Sequence, residues 1–419
     1  MSAGDGDGGG WIDRLRDSMV ALTEASAGER FLIAFAALAL SILVGTGIIL
    51  VSGFIATCRT PVLTLGGQTL CYDPVLVFDR LFLGALGDPL SGGWSPLNPQ
   101  FAVTLRETTV LVFTGLSVAL AFRAGIFNIG TQGQLVVGAL ASALAVLWVA
   151  PLLSGVVGTV VLIPFGLFVG AVGGGLYGAI PGALKAYADA NEVITTIMLN
   201  FVASLVALYL VNAHFGDPDS AANQTVPLPD YATFPTVLFD PRLDFSLLAL
   251  LVAFVFVGGV YYLLEHTPFG YDIRTSGLQP EAAEYGGIDS ARTVVASLTL
   301  SGALGGIGGA VYVLMVLGNF QTGIPSYGFD GITVSILAGN HPIGAVFAAF
   351  LFGVLKSGSS VVDFATDVPP QLIGVLRGLI ILFVAMPEFF RAIGRRVDVR
   401  DRFGGSPDAV ATDGGEDDV

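Results

Sequence analysis

Stretches of about 20 apolar residues, each long enough as a helix to cross roughly 30 Å of hydrocarbon, recur along this chain from residue 31 to residue 390. They fall near 31–55, 104–122, 126–150, 153–184, 191–213, 244–264, 293–317, 330–357 and 369–390. A soluble domain carries about a quarter charged residues because its surface faces water. Here charged residues are 12% and apolar residues 53%, with a mean hydropathy of +0.78, so most of the surface must face lipid. Each spanning backbone must satisfy its own hydrogen bonds, which selects helices. The expected fold is all-α: a polytopic helical membrane protein with one transmembrane domain over 31–390.

The placement of Arg and Lys sets the expected sidedness. Residues 1–30 are Gly-rich and mixed in charge, and the apolar run Phe31–Ile55 is too long for the core of a cleavable signal. Arg14, Arg16 and Arg30 precede that run and place the N-terminus in the cytoplasm. Alternation then brings Arg123, Lys185, Arg274 and Arg292 to the same side, and leaves the loops 56–103 and 214–243, poor in basic residues, outside. The tail 391–419 carries Arg391, Arg395, Arg396, Arg400 and Arg402 and also belongs inside; its acidic end is expected to be disordered. Nine single crossings would leave that tail outside, so one segment must cross an even number of times. Segment 330–357 breaks at Gly339-Asn340-His341-Pro342 into halves of about a dozen residues. A re-entrant hairpin or two short helices there gives about eight full spans plus a broken one, 8–10 membrane segments in all, with both termini cytoplasmic.

Net charge is −15, with only two lysines, Lys185 and Lys356, and the pI is near 4.4. Such an acidic, Lys-poor surface suits a protein bathed in high salt, the habit of a halophile, and offers nothing to nucleic acid. Cys58 and Cys71 share the first outer loop, where oxidising conditions permit a disulfide; a bridge and two unpaired thiols both stay open.

The chemistry of an enzyme is not visible. His214, His266 and His341 lie in separate segments without metal-ligand spacing, and no Ser–His–Asp or Cys–His grouping stands out. A P-loop needs Gly-Lys followed by Ser or Thr; Leu184 precedes Lys185 and Leu355 precedes Lys356. No catalytic residue, cofactor or metal is expected, and a pump built on this chain would draw on ATP bound by another subunit. The middles of the spans read as nearly free of ionisable groups, Arg377 being the main exception. That argues against a proton relay, while sodium coupling through carbonyls and hydroxyls stays open. Uncharged amides inside the spans are the candidate substrate path: Asn128, Gln132, Gln134, Asn200 and Asn340. Amides donate and accept, which suits sugar hydroxyls or nucleobase edges. The alternative is that they bond between helices, while Gly125, Gly130, Gly133 and Gly138 permit close packing. The Gly302–Gly309 run is read as packing, and Phe127 and Phe329 either stack on a base, fill the core or face lipid.

The segment 265–292 contains Pro280, Glu281, Ala282, Ala283, Glu284, Tyr285, Gly286 and Gly287. Pro280 at a first turn and Glu281 and Glu284 near the N-terminus favour a short amphipathic helix. This segment resembles the cytoplasmic coupling loop of ABC importer permeases, whose Glu-Ala-Ala-x-x-x-Gly pattern is matched by Glu281, Ala282, Ala283 and Gly287; the family's Ile-x-Leu-Pro continuation is absent. The stretches Phe122–Gln134, Asn191–Asn200 and Gly328–Asn340 resemble one branch of that superfamily, the nucleoside and simple-sugar permeases, related to ribose and branched-chain amino-acid permeases. The likeness covers roughly residues 100–390. It implies a permease subunit, with lipid around it, working beside a second permease subunit (a copy or a relative), two ABC ATPase subunits docked on 265–292, and an extracellular substrate-binding lipoprotein. A branched-chain amino-acid permease and an ion-gradient-driven secondary transporter are the alternatives.

Overall fold

The computed structural model describes residues 27–385, apart from 59–60 and 66–67. The N-terminal segment with Arg14 and Arg16, and the tail 391–419, lie outside the described residues. The chain divides into two compact units. Residues 48–377 form the one that carries everything below; the other holds the described residues before 48 and after 377.

The helices are α1 (Ala27–Ile55), α2 (Pro74–Phe82), α3 (Pro99–Arg123), α4 (Thr131–Val149), α5 (Gly155–Ala188), α6 (Glu192–Leu210) and α7 (Leu247–His266). They continue as α8 (Pro268–Leu278), α9 (Pro280–Tyr285), α10 (Ser290–Val311), α11 (Tyr327–Leu337), α12 (Pro342–Ala365) and α13 (Pro370–Ala385). A small antiparallel hairpin, β1 (Leu63–Leu65) with β2 (Gln68–Leu70), pairs Leu63 with Leu70. Among the described residues eight helices are long and apolar enough to cross a membrane. The polytopic all-α expectation therefore holds.

Helix starts follow local chemistry. Asn98 caps α3 by accepting from the Phe101 N–H, with Pro99 in the first turn. Asn191 caps α6 through the N–H groups of Val193 and Ile194, and Thr267 caps α8 through Gly270 N–H ahead of Pro268. Each cap satisfies a donor that the first helical turn leaves free.

Helices α3 and α10 form the centre, with 83% and 78% of their spans buried, whereas the span Glu192–Phe215 is 22% buried and turns most of its surface outward. Glycine decides how closely α5 and α10 approach. A Cβ on Gly302 would meet the Gly174 carbonyl oxygen, and one on Gly306 would meet the Gly170 carbonyl oxygen. Without a hydrophobic drive between helices in lipid, such close approach is what holds them. The Gly302–Gly309 run is packing, as its sequence suggests.

The broken segment is unequal, not two halves of about a dozen residues. Helix α11 has 11 residues and α12 has 24, enough to span alone. Hydropathy understates α12 because Lys356, Ser357, Ser359 and Ser360 sit inside it. The two helices nevertheless run as an antiparallel pair. Tyr327 meets Glu107 and the Asn340 carbonyl meets Arg123, and those two α3 residues stand about 24 Å apart along the helix axis. Helix α11 thus runs alongside α3 toward the end that carries α8 and α9. Helix α12 returns to the other end, where a Cβ on Gly358 would strike the Leu81 carbonyl of α2. The segment 318–326 that feeds α11 is not helical. It is pinned by the bond from Thr225 N–H to the Phe320 carbonyl, 2.9 Å, and from Leu228 N–H to the Gly318 carbonyl, 2.7 Å.

Candidate functional site

Four of the five amides named above meet around the turn between α3 and α4. Asn128 donates to Gln134 Oε1 at 3.0 Å and to Ser301 Oγ of α10 at 2.8 Å, and accepts from Gly130 N–H at 2.9 Å. Ser301 Oγ in turn donates to the Ser117 carbonyl of α3 at 2.6 Å. Asn200 of α6 accepts from Gly133 N–H at 2.7 Å and donates to the Ile129 carbonyl at 2.9 Å. Gln132 accepts from Gly328 N–H at 2.7 Å and donates to the Pro325 carbonyl at 3.1 Å. All four side chains are buried. A buried polar group left without a partner costs about 1–3 kcal/mol, so these bonds hold two non-helical stretches, 124–130 and 318–326, against the helices around them. Asn340 stands apart, at the turn between α11 and α12. Its backbone is left-handed, φ +57°, its side chain accepts from Ser335 Oγ at 2.9 Å, and its carbonyl accepts from Arg123 Nε at 3.0 Å.

A second constellation escaped the sequence reading. Glu107 on α3, Tyr327 and Asp330 on α11 and Lys356 on α12 converge beside α13. The Tyr327 hydroxyl donates to Glu107 Oε2 at 2.7 Å. Lys356 Nζ donates to Asp330 Oδ2 at 2.9 Å, lies 3.9 Å from Glu107 Oε2 and 3.9 Å from the Tyr327 ring centre. Arg106 reaches Glu107 Oε1 at 3.3 Å and Asp244 Oδ2 at 3.9 Å. In the loop before α7, burial pushes the Asp244 carboxyl above its ordinary value, a rise that Arg106 opposes. The expectation of spans nearly free of charge is therefore corrected. Glu107, Asp330 and Lys356 each stood near an edge of an apolar run, but α3 begins at Pro99 and α12 continues to Ala365, so the charges fall within helices. The only advance signal was their presence beside those runs; which charge neutralises which is set by three helices far apart in sequence. They wall a cavity of about 380 Å³ whose other faces include Ser360, Asp363 and Arg377.

At the opposite end, α8 and α9 make a compact helical hairpin within 265–292, and α9 is the short helix that Pro280, Glu281 and Glu284 favour. Helix α9 has six residues, with Pro280 in its first turn. Ala283 is buried, while Glu281, Ala282, Glu284 and Gly287 face outward; Leu278 is 88% exposed and Tyr285 96%. Gly287, with φ +86°, closes the helix, and Ile288 N–H returns to the Ala283 carbonyl at 3.0 Å. The hairpin is fastened to the core at two places. Gly277 of α8 lies against Arg123–Gly125, where Gly277 Cα would be 3.0 Å from a Cβ on Gly125. Arg274 of α8 pairs with Glu265 of α7, whose other oxygen is 3.7 Å from Arg123. Arg123 thus joins the hairpin to the turn at Asn340.

In the first long loop, Cys58 and Cys71 form a disulfide with Cα atoms 5.6 Å apart. Among the described residues no group of His, Cys, Asp and Glu is arranged to hold a metal ion.

Residues 101–385 match the family model described as the permease component of the branched-chain amino acid transport system. The chain is 35% identical to the nucleoside ABC transporter permease protein NupB of Lactococcus lactis, over 75% of this chain and 84% of that one. It is 33% identical to the guanosine ABC transporter permease protein NupP of Bacillus subtilis, over 69% and 82%. With the glucose ABC transporter permease protein TsgB13 of Haloferax volcanii it shares 32% identity, over 85% and 94%. The Lactococcus and Bacillus strains each hold a second permease that matches at lower identity. No solved structure matches the chain.

Proposed function

This chain belongs to the permease family of the branched-chain amino acid transport system, and from that premise we propose that it moves nucleosides or simple sugars inward across the cell membrane on ATP hydrolysed by a separate subunit. Its place is the multi-pass membrane subunit of an ABC transporter; family membership displaces the ion-gradient alternative. The solute class rests on relatives named for nucleosides, guanosine and glucose. The family description favours branched-chain amino acids as a second reading; leucine, guanosine and glucose competing for uptake separate the two.

One observation carries the ATPase-docking reading: the hairpin turns Leu278 of α8 and Glu281, Glu284 and Tyr285 of α9 outward while its base is fastened to α3, α7 and the Asn340 turn. Exposed large apolar groups beside charges mark a contact surface. In this reading the hairpin is cytoplasmic, both termini share its side, and the disulfide-bearing loop is outside, facing a binding lipoprotein. Two ATPases dock on two such hairpins, the second supplied by a copy of this chain or by a related permease, as the paired relatives suggest. Movement of the hairpin reaches the spans through Gly277 and through Arg274, Glu265 and Arg123. Asn128, Gln132, Gln134, Asn200 and Asn340 then act beside the solute route by holding the non-helical stretches that line it. Glu281→Lys with Tyr285→Ala tests the docking. The ATPase is expected to stop co-purifying and uptake to cease; unchanged co-purification and uptake would refute it.

A further inference from the structure

The cavity between α3, α11, α12 and α13 holds charged groups that the coupling reading leaves without work. Arg377 is the eighth residue of α13, about 10 Å along the helix from Pro370, within the apolar stretch Pro370–Phe383. A charged side chain inside a membrane segment costs a few kcal/mol unless it faces a partner or a watery cavity, and it marks a functional position by default. Arg377 lines the cavity, and its side chain forms no ion pair or hydrogen bond among the described residues. Asp363 and Ser360, on the α12 wall, are likewise uncommitted. Behind them Glu107, Tyr327, Lys356 and Asp330 are bonded to one another, so the rear wall is rigid and already neutralised.

The charges that line this space sum to zero: Glu107 and Asp363 oppose Lys356 and Arg377. What remains free at the front is one carboxylate, one guanidinium and one hydroxyl. A ring bearing neighbouring hydroxyls answers all three, donating to the carboxylate and accepting from the guanidinium. A phosphate would be set against the carboxylates, and an aliphatic side chain would cover these polar groups without giving them a partner. The volume of about 380 Å³ is in the range of small-molecule sites. Asp363 and Pro370, which line the cavity, lie on either side of the 365–368 turn, and that turn shares a smaller pocket with Cys71.

We propose that this cavity is a solute subsite of the permease for a neutral, hydroxyl-bearing ring, with Asp363 and Arg377 making the direct contacts and Ser360 on the wall beside them. The proposal rests on the nucleoside or sugar reading for its ligand class. Both cysteines of the chain are in the disulfide, so Ser360→Cys places a single free thiol at the cavity. In the full complex with ATPase, second permease and binding protein, a membrane-impermeant thiol reagent is expected to modify it. Guanosine or glucose at ten times its dissociation constant is expected to slow modification about tenfold, and Arg377→Gln is expected to abolish that protection while the complex stays assembled. A thiol that the reagent never reaches, or a rate indifferent to both solutes, overturns the subsite. Loss of the second permease from the Arg377→Gln complex, with protection intact in what remains, also overturns it by assigning Arg377 to the subunit interface. Uptake by the unsubstituted complex is the separate arm: transport of neither guanosine nor glucose refutes the functional reading, whereas transport without thiol protection refutes the subsite alone.

Discussion

Replacing Gly277 by Ala puts one methyl group where α8 meets the end of α3. The new Cβ would lie 2.8 Å from the Ala124 carbonyl carbon and from Gly125 N, and would strike the Arg123 carbonyl oxygen. All three neighbours are backbone, and this backbone is held by Ile126 N–H to the Ala121 carbonyl, 3.0 Å, so it cannot rotate aside as a side chain would. Overpacking of this kind costs about 1–3 kcal/mol. Ala also favours the helix over Gly by about 1 kcal/mol, which works the other way. Gly258→Ala in α7 carries that helix gain without the clash, because no atom lies within 4 Å of its Cβ position. The difference between the two variants isolates the contact, and is expected to be about 1–3 kcal/mol in mixed-micelle unfolding. The face proposed for docking, 281–287, is untouched, so the ATPase should still co-purify with Gly277→Ala. If the strain is relieved by lifting α8 away from Arg123, a coupling free energy of the same size corresponds to about 5–150-fold less uptake per ATP hydrolysed. Equal stability and equal coupling in the two variants would refute the reasoning, since it rests on the closeness of Gly277 to the α3 terminus.

Gln132→Leu leaves Gly328 N–H unpaired in a buried place, whereas the Pro325 carbonyl keeps its bond from Tyr327 N–H, so stability should fall by about 1–3 kcal/mol; uptake should fall with ATPase association unchanged, measured by co-purification and solute flux. Cys58→Ser opens the loop around β1 and β2, for which chain entropy predicts roughly 3 kcal/mol of lost constraint. Limited proteolysis should then cut within 56–73, and the unsubstituted protein should take up no alkylating reagent before reduction.

Much of the architecture was legible in advance because lipid imposes it. Runs such as 191–213 must be apolar wherever they pack, and the caps Asn98, Asn191 and Thr267 are local. The hairpin carrying Glu281–Gly287 was readable for the same reason, its charge, alanines and Pro280 being confined to one short stretch. The break at Gly339–Pro342 was also visible, but the unequal lengths of α11 and α12 were not, since Lys356 ends an apolar window while leaving the helix intact. Which spans are central could not be read either. The spans Glu192–Phe215 and Ser290–Leu317 have mean hydropathies of 2.1 and 1.9, yet 22% of one and 78% of the other is buried. Hydrocarbon outside and protein inside ask for the same apolar side chains, so hydropathy separates membrane from water but not core from lipid face. By itself, then, the sequence determined that this chain lives in a membrane, where most of its long apolar helices fall, and that a short charged helix stands at 280–285. Tertiary structure alone decided that Glu107, Tyr327, Asp330 and Lys356 meet, because charges tolerable at membrane depth only as partners are brought together from three helices more than 200 residues apart at their extremes.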